Sequence, residues 1–241
     1  MDRSEDPLDR KRFLRSAGIG LAAAAFMDAE AERPARAAGG QVPPTAAASP
    51  SEALALLKAG NERFVEDRST CGPLTPRRLE LTQGQAPFAI VLGCSDSRVP
   101  IETVFDQVPG HLFVVRVAGN FLNDDDFGSI EYGIAVLKAK FVLVLGHGGC
   151  GAVTAAVNFV KTGARQPGHI QNIVDALTPA AKATKAKAGD WIANATEENV
   201  RINLAELTAQ STIVKEAVAA GSVGIGGGVY DLQSGRVHFL S

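Results

Sequence analysis

Two apolar runs, Phe88-Ala-Ile-Val-Leu-Gly93 and Phe141-Val-Leu-Val-Leu145, constrain this chain more than any other feature. Neither alternates polar with apolar residues, and each is closed by glycine. A short continuous run of this kind reads as a strand buried on both faces, hence as part of a parallel sheet covered by helices. Such strands deliver the residues after them to the carboxyl edge of the sheet, where open α/β folds bind their ligands. Here Cys94-Ser-Asp-Ser-Arg98 succeeds the first run and Gly146-His-Gly-Gly-Cys-Gly151 the second. Two thiols and an imidazole converging at strand ends suit Zn²⁺, and three protein ligands leave a catalytic zinc one open position.

The rest of the chain supplies the covering layers. Residues 51–64 form an amphipathic helix with Leu54, Leu57 and Phe64 on one side and Ser51 as its N-cap. A strand comes next at 112–117, then a helix opened by Asp124-Asp-Asp126 with Ile130, Ile134 and Leu137 at helical spacing. That acidic triplet reads as a cap and dipole complement rather than a calcium loop, which needs alternating oxygen ligands over a longer stretch. A helix begins near Cys150 and runs through Phe159, and residues 194–220 read as one long helix carrying Val200, Leu204 and Leu207. Strands at 223–230 and 237–240 flank the turn Asp231-Leu-Gln-Ser-Gly235. Gly224-Ile-Gly-Gly-Gly228 lacks the Lys-Ser/Thr ending of a phosphate loop, so it reads as tight strand packing. The fold class expected is α/β: a single domain over 51–241, with a mostly parallel central sheet flanked by helices and zinc at the strand carboxyl ends.

Charge and composition exclude several classes. The net charge is −2 with no concentrated basic face, which argues against nucleic-acid binding. Nothing after residue 40 approaches the ~20 apolar residues of a membrane span. Three cysteines leave one over in any disulfide framework. The first residues differ in kind: Arg10-Lys-Arg-Phe-Leu-Arg15, a mildly apolar 16–27 stretch, then Ala35-Arg-Ala37 as a cleavage site. This describes an export signal over 1–37, and the arrangement resembles a twin-arginine signal with Lys11 in place of the second arginine. Residues 38–50 read as a flexible linker, and the mature chain is expected outside the cytoplasm, in the periplasm or an equivalent space.

A lone His-x-x-Cys is weak evidence; its combination with Cys94 at a second strand end is not. Cys150 at a helix N-terminus is further placed to ionise. With Cys94-Ser-Asp-Ser-Arg98 preceding His147-Gly-Gly-Cys150, the chain resembles the β-class carbonic anhydrases, closely over 85–160 and loosely over 51–240. Phe113-Val-Val-Arg-Val-Ala-Gly-Asn120, Ser129-Ile-Glu-Tyr132 and Val144-Leu-Gly-His147 carry the likeness further. The resemblance implies one Zn²⁺ per chain on Cys94, His147 and Cys150, and a catalytic dyad of Asp96 and Arg98. It implies reversible hydration of CO₂ to bicarbonate and a proton, by zinc-bound hydroxide that the dyad orients. Released from Arg98, Asp96 would become a fourth ligand and close the site.

The resemblance also implies a CO₂/bicarbonate pocket lined by Gln85, Phe113, Tyr132 and Gly151. Simple core packing is the plain alternative for the two aromatics. In the family such aromatics cross a subunit interface, which implies a homodimer or higher homo-oligomer. Some bacterial members have a regulatory bicarbonate site that needs a tryptophan shortly before the first zinc cysteine. Residues 88–93 hold none, so that regulation is expected to be absent. Two other functions fit the same residues: hydrolysis of a CO₂-like molecule such as CS₂ or COS, and a non-catalytic zinc- or bicarbonate-binding homologue. Cys71, His111 and His238 read as non-ligands, and His169 as a proton shuttle only by virtue of being an imidazole.

Overall fold

The computed structural model describes residues 47–71 and 74–240, so the signal expected at 1–37 and most of the linker lie outside the described residues. A five-stranded sheet runs in the order β2-β1-β3-β4-β5. Its strands are β1 (Ala89–Gly93), β2 (Leu112–Arg116), β3 (Phe141–His147), β4 (Gly224–Tyr230) and β5 (Val237–Phe239). The first four are parallel, and β5 returns antiparallel to β4 across the 231–235 turn. Every residue of β1 and β3 is buried, as their unbroken apolar sequences require. Side chains along each strand alternate between the sheet's two faces. Val91, Leu143 and Leu145 join one core, while Ile90, Leu92, Val142 and Val144 join the other.

The first core is closed by α1 (Pro50–Val65) and the short α3 (Ile101–Val104) through Leu57, Ile101 and Phe105. The second is closed by α4 (Asp124–Ala135), α7 (Trp191–Gln210) and α8 (Thr212–Ala219) through Ile130, Val200 and Val214. Between these elements lie α2 (Leu74–Glu80), α5 (Gly151–Thr162) and α6 (Ile170–Ala183). The helices α5 and α6 pack Val153, Val157, Val174 and Leu177 around Cys94 and Cys150. Among the described residues no helix is long and apolar enough to cross a membrane.

Several boundaries differ from the sequence reading for local reasons. The cap of α1 is Ser49, not Ser51: its Oγ accepts the Glu52 N–H at 3.2 Å, and Pro50 starts the helix where a missing N–H costs nothing. Asn123 caps α4 one residue ahead of the acidic triplet. Its Oδ1 accepts from the Asp125 and Asp126 N–H groups, while the Asp126 carboxylate accepts from the Asn123 N–H. The expected single helix over 194–220 is two. Ser211 breaks it, accepting the Val214 N–H and donating to Glu131 Oε1 at 2.6 Å, so a fresh cap replaces continuation. Helix α6, which holds Pro179 within its span, was not assigned from the sequence. The β4 glycines are packing residues: a Cβ on Gly227 would lie 2.5 Å from Val200 Cγ1, and one on Gly226 would lie 2.9 Å from the Phe141 ring.

Candidate metal centre

Register brings the three candidate ligands together. Gly93 ends β1 level with Leu145, and β3 runs two residues further to His147. Cys94 therefore leaves β1 at the edge where His147 closes β3. Gly149, at φ +63°, turns the chain so that Cys150 becomes the N-cap of α5. The two Sγ atoms and an imidazole nitrogen lie within 4.8 Å of one another, and all three residues are buried. His147 Nδ1 lies 3.0 Å from the Gly148 carbonyl oxygen, which can only accept, so the ring proton sits on Nδ1. Nε2 is left with its lone pair toward the thiols, buried and without a hydrogen-bond partner. Two buried sulfurs and one buried, orphaned nitrogen are a donor set that fits Zn²⁺.

The thiols act as a pair. The Cys150 side chain beside it pulls Cys94 down to about 4, against its own burial, with His147 and the Gly119 N–H helping. Cys150 is pushed up in turn, by Cys94 first and by burial second. A divalent cation bound between them would favour the thiolate form of both sulfurs. Burial works against a charged His147, yet its pKa is raised because the Cys94 thiolate, the Gly148 carbonyl and Asp96 outweigh it.

Asp96 and Arg98 stand beside this group. Arg98 Nε donates to Oδ1 at 2.9 Å, Nη2 to Oδ2 at 2.7 Å, and the Arg98 backbone N–H to Oδ1 at 3.0 Å. Those bonds hold the Asp96 carboxyl well below the usual carboxylate range. Oδ2 lies 3.7 Å from His147 Nε2. Arg116 belongs to the candidate site and was given no role in the sequence reading. At the end of β2 its Nε donates to the Cys94 carbonyl at 3.0 Å and its Nη2 to the Asp96 carbonyl at 2.7 Å. It clamps the backbone that carries both ligand and dyad. A charged residue at the close of the apolar run Leu112-Phe-Val-Val115 was the available signal.

The four residues expected to line the pocket are split. Gly151 opens α5 next to Cys150, and a Cβ there would meet nothing within 4 Å, which leaves open space beside the ligands. Gln85 is exposed and precedes β1, at the end of the sheet away from Cys94. Phe113 pairs in register with Ile90 near that same end, with its ring centroid 6.2 Å from that of Tyr132 in the last turn of α4. Phe113 is partly packed into the core, whereas Tyr132 is 47 % exposed, so core packing does not explain Tyr132. Cys71, His111, His169 and His238 add no ligand atom to the Cys94–His147–Cys150 group. Cys71 is exposed, His111 Nδ1 pairs with Gln107 Oε1 at 2.9 Å, and His169 is the N-cap residue of α6.

A family model described as carbonic anhydrase matches residues 89–237. A carbonic anhydrase of Mycolicibacterium smegmatis is 39 % identical over 198 residues, 80 % of this chain and 94 % of that protein. Carbonic anhydrase 2 of Mycobacterium tuberculosis is 37 % identical over 193 residues, 78 % of this chain and 91 % of that protein. Among solved structures, a Coccomyxa β-carbonic anhydrase in complex with acetazolamide superposes with a TM-score of 0.60 at 28 % identity, over 77 % of this chain and 85 % of that one. A tetrameric β-carbonic anhydrase from Sordaria macrospora gives 0.62 at 24 % identity, over 79 % and 97 %, a likeness of fold.

Proposed function

The chain belongs to the carbonic anhydrase family, in its β class, and we propose that it interconverts CO₂ and bicarbonate at one Zn²⁺ held by Cys94, His147 and Cys150. The observation that carries this reading is the buried, partnerless His147 Nε2 facing two thiols, with the Asp96 carboxylate 3.7 Å away. A zinc ion there supplies the Lewis acidity that makes a water molecule nucleophilic near neutral pH. Two thiolates bring two negative charges to the site and weaken that effect, which leaves more for the protein to do. Asp96 does it. Ionised by Arg98, its Oδ2 keeps a second lone pair that can accept a hydrogen bond from the nucleophile and aim it at CO₂. Arg98 also reaches the Gly149 carbonyl at 3.4 Å, a tether that favours keeping Asp96 off the metal. The bare Gly151 leaves room for substrate beside Cys150.

A homodimer is part of the proposal. Gln85, Phe113 and Tyr132 lie toward the opposite end of the sheet from their own Cys94, so they can line a pocket at a metal centre by serving a second copy. Tyr132 and Val136 are exposed beside the edge strand β2, which supports that use. Export by the 1–37 segment would place the enzyme outside the cytoplasm.

The test is stopped-flow CO₂ hydration by the zinc-loaded protein at pH 7 and pH 8.5. Turnover above the buffer rate at both is expected. No turnover at either pH, with one zinc bound per chain, overturns the reading. Activity at pH 8.5 alone would mean that Asp96 leaves Arg98 and closes the site. Sedimentation that finds only monomers would overturn the shared pocket.

A further inference from the structure

Two buried asparagines on α7, far from any ligand in sequence, have an unusual set of partners. Asn199 and Asn203 are 3 % and 2 % exposed and stand four residues apart, hence on one helix face. Asparagine is a poor interior helix residue, and burying its amide costs free energy unless every group finds a partner. Here they do. The Leu122 N–H donates to Asn203 Oδ1 at 2.8 Å, and Asn203 Nδ2 donates to Asn199 Oδ1 at 3.0 Å and to the Asn199 carbonyl at 2.7 Å. Asn199 Nδ2 donates to the Gly119 carbonyl at 2.9 Å, and the Gly119 N–H donates to Cys94 Sγ at 3.2 Å. The chain has one direction. A backbone N–H at one end can only donate and a backbone carbonyl at the other can only accept, so both amide orientations are fixed. The carbonyl and N–H of Gly119 belong to successive peptide units, so what passes through Gly119 is position. Only glycine fits here, since Gly119 sits at φ +89° and a Cβ there would lie 2.6 Å from Leu177 Cδ1.

We propose that Asn199, braced by Asn203, is a positioning residue for the metal centre: by holding the Gly119 carbonyl it fixes where Gly119 sits, so that the residue's N–H points at the Cys94 sulfur, and thereby sets how tightly that sulfur holds a metal. The inference rests on the zinc reading above. Partners that orient a ligand typically change metal affinity by about 10–100-fold when lost. A merely structural pair of asparagines would change stability alone.

The experiment compares three alanine variants of the full chain: Asn199→Ala, Asn203→Ala and Asn61→Ala. Asn61 is the control. It is equally buried and ties α1 to the Val104 and Gly235 carbonyls and the Val237 N–H, with no connection to a ligand. Zinc affinity is read by chelator competition, and the thiolate-to-metal charge-transfer band is read on the cobalt(II)-substituted protein. Asn199→Ala is expected to weaken zinc about tenfold or more and to shift the band. Asn203→Ala should do so less, and Asn61→Ala should lower Tm with both readouts unchanged. If Asn199→Ala matches the wild type in affinity and band, the inference is overturned. If Asn199→Ala does not fold, Asn203→Ala decides, and wild-type readouts in it overturn the inference. A wild-type protein that binds no zinc sinks the metal reading itself, which separates that failure from the failure of the asparagines.

Discussion

Among the described residues two close aspartate–arginine pairs have sharply different surroundings, Asp96–Arg98 at the candidate metal centre and Asp106–Arg63 beneath α1. Both carboxyls are held well below the usual range, so titration alone would rank them as equals. Their bonding does not. The Asp106 side chain is fully buried and saturated by Arg63 Nε, Ser69 Oγ, the Thr70 N–H and Oγ1, and Cys71 Sγ. Burial opposes its charge, and those donors overcome the penalty. No lone pair is left for chemistry; the aspartate pins the 69–71 segment to the turn after α3. Asp96 keeps 17 % of its side chain exposed, draws its donors among the described residues from Arg98 alone, and leaves Oδ2 3.7 Å from His147 Nε2. A depressed carboxylate therefore marks a well-bonded charge. An unspent acceptor next to an unspent donor set marks a site.

Mutation breaks that comparison most sharply at the ligands. Cys150→Ala should drop bound zinc well below one per chain and take CO₂ hydration to the buffer rate, measured by metal analysis beside stopped-flow. Next comes Asp96→Asn, which should retain zinc and lose about 10²–10³-fold in kcat with a small change in Tm. If kcat is unchanged, Asp96 has no catalytic part. Asp106→Asn inverts the pattern: about 3 kcal/mol less stable in urea denaturation, with zinc content and kcat of the folded protein near wild type. Because the folded-state pKa of Asp106 is depressed, its contribution is present above the unfolded carboxylate pKa and is lost as pH falls through the folded one. The stability gap between wild type and Asp106→Asn should thus narrow below about pH 4. A gap that persists undiminished at pH 3 would show that the charge is not what stabilises. The smallest effect belongs to Cys71→Ser, where a hydroxyl can replace a 3.3 Å thiol donor at an exposed position. The change should stay within about 0.5 kcal/mol.

The Cys94–His147–Cys150 cluster and the Asp96–Arg98 pair were legible because each is a short local pattern at the end of an apolar run, where a buried strand must hand over to a turn. The same holds for the acidic start of α4, although its cap proved to be Asn123. What escaped were features decided by partners remote in sequence. Arg116 became a clamp only because β2 ends level with β1. Ser211 ended a helix whose apolar spacing runs straight through it, because Glu131 and the Val214 N–H claimed its hydroxyl. Asn199 looked like any polar residue on a long helix until the fold set it against Gly119.

Sequence by itself determined which atoms this protein can offer a metal and a small linear substrate: two thiols, an imidazole, a carboxylate with its arginine, and the buried parallel strands that present them. Tertiary structure decided that His147 points Nε2 rather than Nδ1 at the thiols, that Asp96 and not Asp106 keeps an acceptor free, and that Phe113 and Tyr132 stand toward the end of the sheet opposite Cys94. The division has a physical cause. Residue chemistry and strand burial are set by neighbours along the chain, while hydrogen-bond saturation and the side of the sheet a residue can serve depend on contacts that only folding creates.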